Sequence, residues 1–337
     1  VTDIILAVRN LTTSLQIDQK CYPVVDRLSF NLKKGQCLAL VGESGCGKSM
    51  TALSIMRILP SPPARPSTGE IFYRGCNLLA LSEREMRKLR GGRIAMIFQD
   101  PGEALNPVYT IGDQLIESAQ LHLGIDGDIA EAKALQALID VGIPAPSQRL
   151  AEYPHQLSGG MKQRVMIAMA LIGEPDILIA DEPTTALDVT VQAQVLALMR
   201  ELQRRNGMAL LLITHDLGVV AEMADEVVVM YASQSIEKAD VLELFDRPAH
   251  PYTQGLFRSR VALADPLQRL SPIVGTVPSI EEYPSGCRFY PRCPQAMDQC
   301  TRRAIPLYDI GNGNGHPVRC VLYKDSGAEN FEGYNEQ

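Results

Sequence analysis

No apolar run in this 337-residue chain approaches the ~20 consecutive residues that a membrane-spanning helix needs. The longest, around Met208–Ile213 and Val227–Met230, have the length of buried strands. The opening residues Val1-Thr2-Asp3-Ile4-Ile5-Leu6 lack the basic start and long apolar core of a signal peptide. The expectation is a cytoplasmic chain whose membrane role, if it has one, runs through partners. Positive charge is also short. Lys and Arg number 32 against 39 Asp and Glu, a formal charge of −7, which argues against a nucleic-acid partner. Sustained heptads are missing, so no long coiled coil is expected. With 46% hydrophobic and 21% charged residues, the composition is that of a folded protein, long enough for one large domain plus a tail.

From residue 1 to about 245, short apolar runs alternate with helical patterns, as in a mostly parallel α/β sheet. Cys37–Val41, Ile94–Phe98, Ile177–Ala180 and Met208–Ile213 each read as a buried strand leading into a turn. Val191, Val195, Leu198, Met199 and Leu202 fall three and four apart, an amphipathic helix that Gly207 stops. Pro60–Ser67 carries four prolines and reads as a surface loop, while Asp113–Pro154 is helix-rich without strand signals. After His250-Pro251-Tyr252 the pattern turns to Pro, Gly and Cys, which predicts a separate small unit with a frayed polar end beyond Lys324.

Gly42-Glu43-Ser44-Gly45-Cys46-Gly47-Lys48-Ser49 fits G-x-x-x-x-G-K-[ST], after an apolar strand and ahead of a helical stretch, Met50–Leu59. Glycines let successive backbone N–H groups and the helix N-terminus face phosphate. Lys48 is assigned to the β/γ-phosphates and Ser49 to Mg²⁺. A second strand, Ile177–Ala180, ends in Asp181 and Glu182. Asp181 suits a contact to the magnesium shell, and Glu182 can polarise the attacking water, the division of labour that phosphoryl transfer requires. Leu157-Ser158-Gly159-Gly160-Met161-Lys162-Gln163 forms a second glycine-rich helix start, another anion cradle that one triphosphate does not need.

These motifs, in this order, resemble those of the ATP-binding-cassette (ABC) ATPases along the whole chain. The resemblance implies a P-loop NTPase fold: a mostly parallel sheet core, an antiparallel β subdomain and a helical subdomain at about 105–165. It implies that Ser158, Gly159 and Gly160 cap ATP held by a partner cassette. Gln99 then falls at the position that senses magnesium and touches the membrane partner. Ala186-Leu187-Asp188 resembles the loop that communicates across the dimer, His215 the histidine that contacts the γ-phosphate, and Tyr22 the aromatic that stacks on adenine.

Phe98-Gln99-Asp100-Pro101, Leu105-Asn106-Pro107, Tyr153-Pro154-His155-Gln156 and Pro248-Ala249-His250-Pro251-Tyr252-Thr253 are similar to the peptide-importer branch, whose relatives serve nickel and other small solutes. That branch implies a complex of two membrane permeases, a substrate-binding protein and two cassettes, often paralogues, on the cytoplasmic face of the inner membrane. Ser233 and Ala239 stand where the family usually has glycine, so backbone strain is expected there if φ is positive.

Cysteine use splits in two: Cys21, Cys37, Cys46 and Cys76 are scattered early, whereas Cys287, Cys293, Cys300 and Cys320 gather late. A late group of four in a cytosolic chain points to a metal site. The spacings, looser than the usual knuckles, leave zinc and a four-iron cluster both open. Resemblance to dipeptide-importer tails places [4Fe–4S] ahead of zinc, in a structural or redox-sensing role. A soluble, DNA- or ribosome-acting ABC ATPase fits poorly with a single cassette of acidic balance. A module that only binds nucleotide fits poorly with Glu182 and His215.

Overall fold

The computed structural model describes residues 3–185, 187–259, 273–311 and 315–324. Two long strands, β1 (Ile4–Ile17) and β2 (Lys20–Lys33), open the fold. Asp18 and Gln19 turn between them at φ 44° and 70°, the left-handed pair that matches strand twist. The central strand β3 (Cys37–Val41) runs into a glycine-rich loop and α1 (Lys48–Met56). Strands β4 (Thr68–Tyr73) and β5 (Cys76–Asn77) return to complete an antiparallel sheet ordered β2-β1-β4-β5. Beyond α2 (Glu83–Leu89) and β6 (Ile94–Ile97) lies a helical stretch of α3 (Pro101–Ala104), α4 (Ile111–Leu123), α5 (Gly127–Asp140), α6 (Pro146–Arg149) and α7 (Gly159–Leu171). Next come β7 (Ile177–Asp181), α8 (Val189–Asn206), β8 (Ala209–Thr214), α9 (Leu217–Met223), β9 (Glu226–Tyr231) and β10 (Gln234–Asp240). The remainder holds α10 (Val241–Asp246), α11 (Pro251–Arg258), α12 (Gln299–Arg302), β11 (Tyr308–Asp309) and β12 (Pro317–Val318).

The large sheet runs β11-β12-β10-β9-β3-β8-β7-β6, parallel from β9 to β6 and antiparallel at the other edge. Its central strands are apolar on both faces because both are covered. Ala39 and Val41 of β3, with Leu210 and Leu212 of β8, face a core shared with α4, α5, α7 and α8. Leu38 and Leu40, with Leu211 and Ile213, face the antiparallel sheet and α1. Parallel strands sandwiched this way end together, so the loops after β3, β7 and β8 meet at one edge.

Element ends differ from the sequence reading by a residue or a turn. The helix expected at Met50–Leu59 begins at Lys48 and stops at Met56, where Arg57 takes a left-handed cap. More substantively, the tail does not stand apart: β12 pairs with β10 through Glu237↔Val318, and Phe289 and Tyr252 are buried in the cassette core. Glu237, fully buried mid-strand, accepts N–H bonds from Ala249 and His250 at 2.7 and 2.9 Å, and His316 Nε2 lies 2.9 Å from it. Strain falls at one of the two expected positions, and at a neighbour that was not expected. Positive φ occurs at Ala232 (46°) and Ser233 (71°), whereas Ala239 lies in regular β10. The expected frayed end beyond Lys324 and Ala186 of the dimer loop lie outside the described residues.

Candidate nucleotide site

The loop after β3 curls because its glycines have no alternative. A Cβ on Gly47, at φ 100°, would sit 2.2 Å from Val24 O, and one on Gly42 2.2 Å from Met230 O. Curled in this way, the loop folds Lys48 back on itself. The residue is 5% exposed, and Nζ donates to the carbonyls of Gly42 (2.8 Å) and Glu43 (3.2 Å). Ser49, next along α1, donates to Asp181 Oδ1 at 3.1 Å. Burial pushes the Asp181 carboxyl up, and nearby Glu182 adds to this against the pull of the Ser49 bond. A hydroxyl beside a carboxylate short of positive charge is a donor set of hard oxygens, as Mg²⁺ prefers.

Glu182, at the tip of β7, takes φ 47°, a left-handed conformation that a non-glycine residue adopts only where its surroundings impose it. Three side chains converge on its carboxylate. Thr185 Oγ1 donates at 2.9 Å, Gln99 Nε2 donates at 3.3 Å, and His215 Nδ1 lies 3.1 Å away. Desolvation raises the Glu182 carboxyl, but the bonds from His215 and Thr185 outweigh it and leave the group below the usual carboxylate range. An ionised carboxylate fixed by three neighbours can orient a water and accept its proton.

Ser158, Gly159 and Gly160 lie outside this network. Ser158 caps α7, its hydroxyl accepting from Met161 N–H at 3.3 Å, and no acidic residue sits in the first turn, so the helix start stays open to an anion. Asp188 caps α8 by accepting from Val191 N–H at 2.9 Å. Tyr22 is half-buried on β2, opposite Leu15. Met50, within α1, packs on the core. Cys46 is buried, 3.9 Å from Lys48 Nζ.

Three contacts were not anticipated from the sequence. Thr185 was within reach, three residues after Glu182. Tyr252, whose hydroxyl accepts from Glu43 N–H at 2.9 Å, sits in a motif read only as a family marker. Arg292 pairs with the Glu43 carboxylate across 249 residues of sequence, without a local signal.

The tail cysteines come together only loosely. Cys287, Cys293, Cys300 and Cys320 line one small cavity with His250 and Tyr290. Even so, no group of three or more His, Cys, Asp and Glu side chains among the described residues is placed to hold a metal ion. The expected metal site on the four thiols, a [4Fe–4S] cluster with zinc as the alternative, is therefore not formed among the described residues. Burial pushes Cys287 up to about 11 and Cys320 up to about 12, with neighbouring thiols adding to the rise, so the protonated forms need not converge on one point. One observation does fit a sulfur-bound group. His250 Nδ1 accepts from Tyr252 N–H at 3.0 Å, so the neutral ring carries its proton on Nε2, and that buried N–H has no partner.

Comparison with known proteins agrees with this geometry. Residues 25–185 match the family model described as ABC transporter, and residues 236–300 match that of the oligopeptide/dipeptide transporter C-terminal region. A probable peptide ABC transporter ATP-binding protein of Sinorhizobium fredii is 50% identical over 94% of this chain and 95% of its own length. This chain belongs to the ABC transporter ATP-binding family. Within it, a Bacillus subtilis oligopeptide transport ATP-binding protein is 47% identical over 96% of this chain and 98% of that one. An Escherichia coli dipeptide transport ATP-binding protein is 46% identical over 92% and 94%. A solved Clostridium perfringens cassette, part of an ABC transporter complex, superposes at TM-score 0.62, with 29% identity over 73% of this chain and 92% of that one. As an ABC ATPase the chain binds and hydrolyses ATP. No helix among its described residues is long and apolar enough to cross a membrane.

Proposed function

We infer that this ABC ATPase powers a bacterial importer of di- and oligopeptides, working peripherally on the cytoplasmic face of the inner membrane. One observation carries the reading. The phosphate loop, joined through Ser49 to the acid pair and through Glu182 to His215, is bonded at Glu43 to Tyr252 and Arg292 of a C-terminal region of the peptide-transporter type. The relatives' names supply the solute class, and two membrane permeases and a substrate-binding protein follow from it. In this reading residues 1–245 are the cassette, with a helical subdomain at 105–165, and 246–337 are the extension.

Lys48 exchanges the carbonyls of Gly42 and Glu43 for the β/γ-phosphates, while the N–H groups of Ser44, Gly45, Cys46 and Gly47 wrap them and Met50 extends the helix start behind. Ser49 and Gln99 would hold Mg²⁺, with Asp181 behind them, and the ion would offset charge on the phosphate oxygens. Glu182 takes the proton of the attacking water, and His215, bonded to Glu182, reaches the γ-phosphate. Tyr22 stacks on adenine. Ser158, Gly159 and Gly160 cap the nucleotide of a second, paralogous cassette, with Asp188 at the joint between the two. Closure follows because ATP favours the closed pair and ADP does not. ATP-dependent peptide uptake by vesicles carrying the complete importer tests the reading; uptake that proceeds with Glu182→Gln in both cassettes would sink it.

For the tail, the unpaired His250 N–H and four thiols around one cavity support a [4Fe–4S] cluster on Cys287, Cys293, Cys300 and Cys320, with zinc the alternative. Anaerobic purification with iron, sulfide and zinc assays decides between them. About four irons and four sulfides per chain are expected, and stoichiometric zinc would replace this assignment.

A further inference from the structure

Glu43 is the only acidic residue in the phosphate loop, and its charge has the wrong sign for a triphosphate cradle. The extension holds this residue from two sides. Arg292 Nη1 lies 3.1 and 3.0 Å from the two Glu43 carboxylate oxygens, and Tyr252 Oη accepts the Glu43 N–H at 2.9 Å. The Arg292 side chain is only 6% exposed. Its Nε donates to Val274 O at 3.1 Å, Nη1 approaches Tyr231 Oη at 3.4 Å, and its guanidinium lies 5.7 Å from the Tyr231 ring centroid. With so many fixed partners, the planar guanidinium is oriented before nucleotide arrives. Water screens this pair less than it would a surface pair.

We propose that Arg292 is a positioning residue for ATP: by pairing with the Glu43 carboxylate it neutralises the one opposing charge in the phosphate loop. The proposal rests on ATP occupying that loop. It makes nucleotide affinity a property of the extension as well as the cassette, because Arg292 ends the short turn Tyr290–Arg292 that leads directly into Cys293. A carboxylate released from Arg292 would face the phosphates unpaired and repel them. The effect would fall on binding, because Arg292 touches none of the groups assigned to the chemical step.

The test is calorimetric titration of the full chain with MgATP. Arg292→Ala is expected to weaken binding about three- to tenfold, the size of one partly screened charge interaction, and the difference should shrink in high salt. Adding Glu43→Gln to Arg292→Ala should restore most of the affinity, because the repelling charge is gone. Arg292→Lys should retain an intermediate affinity, since it keeps the charge without the planar fork. Arg292→Gln gives the same reading as Arg292→Ala if the alanine variant melts early. An affinity unchanged in both Arg292→Ala and Arg292→Gln would overturn the proposal. So would a double variant no tighter than the single one, which would make Arg292 a packing residue only. Lys48→Ala separates the two levels. If it binds MgATP as the parent does, the loop itself is not the nucleotide site and both readings fall.

Discussion

The phosphate loop and the cysteine cavity are both irregular turns, yet they treat their polar groups in opposite ways. In the loop each working side chain finds a partner within the chain: Lys48 its own carbonyls, Ser49 the Asp181 carboxylate, Glu182 the cluster of Gln99, Thr185 and His215. Around the cysteines, by contrast, burial raises the thiols, and the His250 Nε2 N–H is left unpaired. An unpaired buried donor costs about 1–3 kcal/mol, so a cavity that contains one suits a resident group. A site that satisfies itself suits a ligand that must arrive and leave at every turnover. The difference sets the nucleotide site apart from the cysteine cavity, for which a resident group is proposed.

The contrast breaks most sharply at Glu182. On the role proposed for it, Glu182→Gln would remove the proton acceptor but keep the shape of the side chain, so turnover in the assembled importer should fall about 10²–10⁴-fold. MgATP affinity, and the iron content if the proposed cluster is present, should stay as in the parent. A variant that still turned over at the parent rate would show that Glu182 is not the base. Next in size is the joint between the two regions. Glu237→Ala strands two backbone N–H groups and the His316 ring together, at a cost of about 3 kcal/mol or more in chemical denaturation. A loss under 1 kcal/mol would mean that the extension is held by other contacts. Smaller still at the catalytic centre is Cys293→Ser. Iron should drop and melting should fall by a few degrees, while the assembled importer continues to hydrolyse ATP. Abolished hydrolysis in a variant that stays folded and dimeric would make the tail part of the reaction.

Much of the candidate nucleotide site was legible because its residues are local in sequence. A strand, a glycine loop and a helix lie next to one another in sequence at Cys37–Met56, and Asp181 and Glu182 end an apolar run. The α7 start was readable in the same way, from Ser158 as a cap before two glycines. What escaped the sequence joins residues far apart in the chain. Arg292 reaches Glu43, and Glu237 binds His316, a carboxylate buried in a strand where an acid normally signals a solvent face. Strain was placed correctly at Ser233 but missed at Ala232, because a glycine pattern marks a tight turn without fixing which residue carries positive φ. That turn is held by the extension: Arg288 donates to Ala232 O at 2.5 Å and pairs with Asp26 on β2.

Asp26 offers the mildest test of how tightly the two regions are joined. Burial raises its carboxyl, but the 2.8 Å bond from Gln234 and the charge of Arg288 more than offset this and hold it below the ordinary 3.8. A carboxyl lowered by folding stabilises the fold fully above its unfolded value and loses that contribution as pH falls through the folded value. Asp26→Asn should therefore cost about 1 kcal/mol at pH 7, after allowance for solvent screening. The gap between parent and variant should persist down to about pH 4 and close below it, where both side chains are neutral. Urea titrations of the two proteins at a series of pH values measure that gap directly. A gap that stays constant into strong acid would assign the effect to hydrogen-bond geometry, and the charge of Arg288 would then contribute little to fastening the extension.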